Sequence, residues 1–166
     1  MDQPQILHVT NRGNNREPIF LDELDYATFL RMLEAAFAGV ECVRHAYCLI
    51  PNHYHLLVEA DPPMLSKAMH LLNGRYARRF NQRHGRSGHL FQGPYAAIHV
   101  ARDEHFLECV RYILLNPVRA GLCAHPGDWR WSSYRDPLTV LVNSMAGGRT
   151  AFEEFLLSGV ERLQRA

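Results

Sequence analysis

Apolar and polar residues change period several times along the chain, and each change predicts a new element. Residues 5–10 (QILHVT) alternate and are rich in β-branched side chains, which predicts a strand. They lead into NRGNNR, a polar loop with turn-forming composition. Asp22 stands where a helix N-cap belongs, and Tyr26, Phe29, Leu30, Leu33 and Phe37 then recur at helical spacing until Gly39. Two apolar runs, 41–50 and 53–60, are separated only by Pro51 and Asn52. Pro then Asn suits the central positions of a tight turn, so the two runs are expected to form an antiparallel hairpin.

A second helix is predicted from Ser66, with Leu65, Ala68, Met69, Leu72, Tyr76 and Phe80 on its buried side, ending near HGRSG at 84–88. Residues 94–101 (PYAAIHVA) read as a fourth strand. Asp103 is placed to cap a third helix, which Pro117 stops at Asn116. This order matches the α+β class: a ferredoxin-like antiparallel sheet, βαββαβ, with two helices on one face, followed by an additional helix. At 166 residues the chain has the length of one domain. The pattern assigns that domain to residues 1–135 and a C-terminal extension to 136–166, with DWRWSSYRD as an ordered loop and a helix over 150–164.

Composition, 47% hydrophobic and 21% charged, is that of a globular protein. No stretch approaches the roughly 18 consecutive apolar residues of a membrane span, and there is no apolar signal region, so the expected location is the cytoplasm. The four cysteines form no CxxC pair, which argues against a disulfide framework or a cysteine zinc site. The net charge of +1 conceals a division: −5 over residues 1–66, +7 over 67–135 and −1 over 136–166. Seventeen of the eighteen cations are Arg, whose planar fork grips phosphate in bidentate fashion. A polyanion-binding middle third is the preferred reading.

The strongest chemical signal is PNHYHLLVE, residues 51–59. Side chains at i and i+2 of a strand share a face, so His53 and His55 project together while Tyr54, Leu56 and Val58 project the other way. Two imidazoles on one face can bind one metal ion, although a half-exposed sheet gives the same pattern. On the third helix Phe106, Leu107, Val110, Ile113 and Leu114 form the apolar stripe. Tyr112 and Asn116 lie off it, one turn apart, where they can serve a site on the neighbouring sheet or face solvent. In RYARRFNQRHGR, Arg75, Arg78 and Arg79 share one arc of a helix, with Arg83 a turn beyond Arg79. Such a cluster suits a nucleic-acid backbone as well as a solvated face. Asn11, Arg12, Asn14, Asn15 and Arg16 form a second polar and basic loop able to reach bases or phosphates. The absence of GxxxxGK[ST], GxGxxG, GxSxG and HExxH argues against an NTPase, a dehydrogenase, a serine hydrolase and a zinc protease.

Five segments, in this order, resemble the single-tyrosine HUH transposases, in particular the REP-associated tyrosine transposase branch of the IS200-like superfamily. They are HVTNRGNNREPIF (8–20), CLIPNHYHLLVE (48–59), GHLFQGPY (88–95), RYILLNPVRAGL (111–122) and WRWSSYR (129–135). The resemblance implies the same strand and helix plan, with the nucleophilic tyrosine on the helix after the fourth strand. It implies that His53 and His55 bind a divalent cation, magnesium or manganese, and that Tyr112 is the nucleophile. Asn116 stands where relatives often carry a Gln ligand. Arg119, in the fourth segment, joins Asn11, Arg12, Arg16, Arg75, Arg78, Arg79 and Arg83 as residues expected to meet DNA. The position between the histidines, usually aliphatic, is Tyr54, whose hydroxyl needs a partner.

The implied activity is metal-dependent cleavage and rejoining of single-stranded DNA containing a hairpin or palindromic repeat, through a 5′-phosphotyrosine intermediate. Monomer and homodimer are both open. Two rivals are a domesticated DNA- or RNA-hairpin-binding protein that no longer cuts, and a zinc-dependent hydrolase using metal-bound water, in which Tyr112 would be dispensable.

Overall fold

The computed structural model describes residues 3–101, 104–135 and 147–164. In chain order the elements are β1 (Gln5–Arg12), α1 (Glu23–Phe37), β2 (Cys42–Ile50), β3 (His53–Ala60), α2 (Pro62–His84), β4 (Ala96–His99), α3 (Glu104–Leu114), the short α4 (Asn116–Arg119) and α5 (Gly148–Gln164). The four strands form one sheet in the order β2-β3-β1-β4, antiparallel at every pairing. This is the ferredoxin-like α+β plan expected from the sequence. Ile50 pairs with His53, so the hairpin closes around Pro51 and Asn52 alone.

Alternation along the strands divides the core in two. Leu7, Val9, Tyr54, Leu56 and Val58 face α1 and α2, where Phe29, Leu33, Met69, Leu72 and Tyr76 meet them. Ile6, Ala46, Cys48 and Leu57 face the other way, against Val110, Ile113 and Leu114 of α3 and Phe152 and Leu156 of α5. The sheet is therefore a middle layer. His53 and His55 alternate with Tyr54 and share their face with Leu57, so they look toward α3 and not toward the α1 and α2 core.

Several boundaries differ from the sequence reading for local reasons. Asp22 caps α1 by accepting from the backbone N–H groups of Leu24 and Asp25, as expected. The second helix begins four residues before Ser66, because Asp61 accepts from the N–H of Met64 and Pro62 fills the first turn, where no N–H is needed. The fourth strand is shorter than 94–101, and Pro94 has no N–H to give to the ladder. Asp103, the expected cap of α3, and residues 136–146 lie outside the described residues.

The WRWSSYR segment covers the outer edge of β2. The Leu49 N–H donates to the Trp131 carbonyl at 2.9 Å and the Ser133 N–H to the Tyr47 carbonyl at 3.0 Å. Trp129 Nε1 donates to the Leu49 carbonyl at 2.8 Å, and Trp131 stacks on Tyr26 with centroids 4.8 Å apart. Among the described residues no helix is long and apolar enough to cross a membrane.

Phe152 and Leu156 are wholly buried, so α5 is a working part of the layer that carries α3. Phe152→Ala should lower unfolding free energy by about 3–5 kcal/mol, read from the urea midpoint at constant slope. An unshifted midpoint would mean that α5 is not docked on α3 in solution.

Candidate active site

Pairing of β1 with β3 builds the floor of the site. Arg12 lies opposite His53, Thr10 opposite His55 and His8 opposite Leu57, and directly opposed residues share a face. The cleft above them, of about 350 Å³, is lined by Thr10, Asn11, Arg12, His53, His55, Gln92 and Tyr112. His55 is only 4% exposed.

The rotation of α3 is set by the complete burial of Val110, Ile113 and Leu114, which brings Tyr112 out at the rim, 40% exposed. Its ring stands edge-on to His55, with centroids 5.5 Å apart, and edge-on to His8 at 6.1 Å. The guanidinium of Arg119 lies 5.0 Å from the centre of the same ring. The sequence predicted that Pro117 would stop the helix at Asn116. The helix ends close to that point, at Leu114; the Leu115 N–H still reaches the Arg111 carbonyl at 2.9 Å, and the separate short turn of α4 follows at once. Asn116 thus stays one turn beyond Tyr112, buried, with Nδ2 at 3.1 Å from His55 Nε2.

Each ring of the histidine pair has a further partner. His53 Nδ1 is 2.7 Å from Asn52 Oδ1, and His55 Nδ1 is 2.9 Å from His8 Nε2. His8 and His55 are stacked, with centroids 5.1 Å apart. Burial drives the His53 pKa down to about 4, with help from the Arg12 charge. Burial again leads at His55, lowered to about 3, with His53, His8 and Arg12 adding to it. His8 is lowered by burial as well. All three rings are therefore neutral at pH 7, the form in which imidazole offers a lone pair to a metal.

The donor set suits an open cation site. Two neutral imidazoles lie side by side, with ring centroids 4.8 Å apart, and His55 meets the amide of Asn116; turning that amide over presents its oxygen in place of its nitrogen without a change of volume. Among the described residues no group of three or more His, Cys, Asp or Glu side chains can hold a metal. Two nitrogens and one amide oxygen leave room for oxygens from outside the protein, unlike a closed structural zinc site.

The remaining candidates separate by location. Arg12 and Arg119 are exposed beside the cleft. Asn11 is buried; its Nδ2 donates to the Gly93 carbonyl at 3.3 Å, and it also lines a neighbouring cavity of about 610 Å³ with His70, Asn73, His89 and Tyr95. Arg16 is exposed, and its carbonyl accepts from Asn52 Nδ2 at 3.2 Å. Arg75, Arg78 and Arg79 project from α2, on the face of the sheet opposite the histidines. Arg83 has internal partners: its fork binds Asp22 and Asp25, both contacts at 2.6 Å, and clamps the end of α2 to the start of α1. Tyr54 finds the partner its hydroxyl required, donating to Asn73 Oδ1 at 2.9 Å. The sequence reading did not single out His8 or Asn52. Period-two alternation groups His8 with Thr10 and Arg12, but only the pairing register shows that they face His55.

The family profile described as "Transposase IS200 like" matches residues 4–115. Among solved structures, a REP-associated tyrosine transposase bound to a REP hairpin superposes with a TM-score of 0.64 at 14% identity, over 84% of this chain and 81% of that one. A Deinococcus radiodurans R1 protein described as a candidate transposase gives a TM-score of 0.47 at 21% identity, over 70% and 92% of the two chains. No curated protein matches.

The depressed histidines make stability depend on pH. Below pH 6.5 the unfolded chain takes up protons that the folded His53 and His55 refuse until about pH 4 and pH 3. Their contribution is therefore present above pH 6.5 and lost as pH falls toward 4. Calorimetry should give a lower Tm at pH 5 than at pH 7.5, with a smaller difference in His55→Gln. An equal difference in wild type and variant would contradict the assigned cause.

Proposed function

Because the chain belongs to the family of IS200-like transposases, we propose that it cuts and rejoins single-stranded, hairpin-containing DNA in a metal-dependent reaction with Tyr112 as covalent nucleophile. The observation that carries this reading is that Tyr112 of α3 and His53 and His55 of β3 line one cleft with Arg12, while Asn116 meets His55 behind it and Arg119 lies against the Tyr112 ring. A hairpin substrate is supported by the relative of like fold that binds a REP hairpin.

In this mechanism a backbone phosphate enters beside Arg12 and Arg119, whose charges draw it in and offset its own. The Tyr112 oxygen attacks phosphorus, forming a tyrosyl O–P bond as the bond from phosphorus to the 3′ oxygen breaks. Tyr112 loses its proton and the departing 3′ oxygen gains one. The products are a 5′-phosphotyrosine and a free 3′-hydroxyl. That link conserves the phosphodiester, so a second 3′-hydroxyl can displace Tyr112 and join strands without ATP. His53, His55 and Asn116 would hold magnesium or manganese, whose charge polarises the non-bridging phosphate oxygens. Contacts of Tyr112 with His55, His8 and Arg119 limit where its ring can go, which supports attack from one direction.

Wild-type protein with manganese and a hairpin strand of genomic palindromic repeat should yield a protein–DNA band that survives denaturation. Tyr112→Phe should bind the strand without forming it, and Tyr134→Phe should retain it. Cleavage by Tyr112→Phe at the wild-type rate would sink the covalent mechanism. His53→Ala and His55→Ala should abolish cleavage while keeping binding, because the cation acts in the transition state. Asn116→Ala should be milder, since water can replace one amide.

Salt dependence locates the strand. Arg12→Ala and Arg119→Ala should each flatten the plot of log affinity against log salt by about 0.7, the value for one lost phosphate on a single strand. The triple variant of Arg75, Arg78 and Arg79 tests whether the hairpin also reaches α2; an unchanged slope there confines it to the cleft side of the sheet.

A further inference from the structure

We infer that His8 and Asn52 are positioning residues that hold the proton of His55 and His53 on Nδ1, so that Nε2 of both imidazoles keeps its lone pair. The inference rests on the reading of His53 and His55 as metal-holding residues. It follows from which groups can only donate and which can only accept.

The chain of constraints at His53 begins at a carbonyl. Arg16 O can only accept, so the Asn52 atom at 3.2 Å from it is the amide nitrogen. The Asn52 oxygen then faces His53 Nδ1 at 2.7 Å. An amide oxygen can only accept, so the proton sits on Nδ1 and Nε2 keeps its lone pair. Asn52 is thus more than a turn residue: it ties the hairpin to the Arg16 backbone on one side and orients an imidazole on the other.

At His55 both nitrogens are engaged. With the Asn116 amide nitrogen toward Nε2 at 3.1 Å, Nε2 accepts. The proton in that arrangement lies on Nδ1, which donates to His8 Nε2 at 2.9 Å. His8 is then the Nδ1-protonated tautomer, and its ring stacks on the ring it orients. The register explains the reach: His8 is directly opposite Leu57 and diagonal to His55, a separation that aromatic side chains span. If Asn116 turns its oxygen inward to a cation, His55 Nε2 stays bare and the same tautomer serves. A metal-binding histidine is generally held by such a partner on its other nitrogen, and losing the partner weakens metal binding by about 10–100-fold.

Two measurements on DNA-free protein test this. Long-range ¹H–¹⁵N spectra of the imidazoles should show both His53 and His55 protonated on Nδ1 in the wild type; protonation on Nε2 at either ring overturns the inference, and this readout needs no variant. Manganese titration followed by electron paramagnetic resonance should show weaker binding, by about 10–100-fold, in His8→Phe and Asn52→Ala. His8→Gln, whose amide oxygen can accept from Nδ1, should recover part of the loss. Hairpin binding in chelator should be unchanged in all three, which separates lost positioning from a lost fold. Wild-type protein that binds manganese as weakly as His53→Ala would overturn the metal reading itself. Strong wild-type binding matched by His8→Phe and Asn52→Ala would overturn only the positioning roles.

Discussion

The pairing of β1 with β3 governs the rest of the molecule. Thr10 opposite His55 puts one set of alternate side chains into the cleft and the other set, Val9 and Leu56 among them, into the core with α1 and α2. A slip of one residue would exchange the two sets. Tyr54 holds the register from within: its ring is completely buried between the two histidines in sequence, and its hydroxyl is anchored on Asn73 of α2. The departure from an aliphatic residue at this position is therefore a tether, and the strand that carries the histidines is fastened to the opposite helical layer.

The other half of the site depends on how α3 sits. Arg111, one residue before Tyr112, is buried with its guanidinium 4.4 Å from the Phe155 ring of α5 and paired with Glu108. Gly159 of α5 approaches so closely that a β-carbon there would lie 2.7 Å from the Leu115 side chain and 3.0 Å from Arg111. The two contacted residues, Arg111 and Leu115, immediately precede Tyr112 and Asn116. Any side chain at position 159 would push on the segment that brings the amide to His55.

Local periodicity carried most of the fold and the central residues of the site. His53 and His55 on one strand face, and Tyr112 and Asn116 off the α3 stripe, follow from spacing within single elements. What stayed hidden depended on partners far apart in sequence. His8 is 47 residues from His55, and no local pattern states the register that joins them. Arg83 looked like part of a basic cluster because its acidic partners are about sixty positions earlier. The second helical layer was hidden for the same reason, since an amphipathic stripe shows that a helix is buried without showing against which face.

The segment over β2 bears on how the chain may be cut. A strand edge with unpaired N–H and C=O groups is a template for other strands, and here Trp131 and Ser133 occupy that edge. Its rings are also locked to the start of α1 through Tyr26. The family match ends at residue 115, before this seal, Asn116, Arg119 and α5. A fragment trimmed to the match would keep the tyrosine and both histidines, yet bare a sheet edge and the apolar flank of α3 together. Its failure would be colloidal: strand-to-strand self-association in place of an orderly loss of activity.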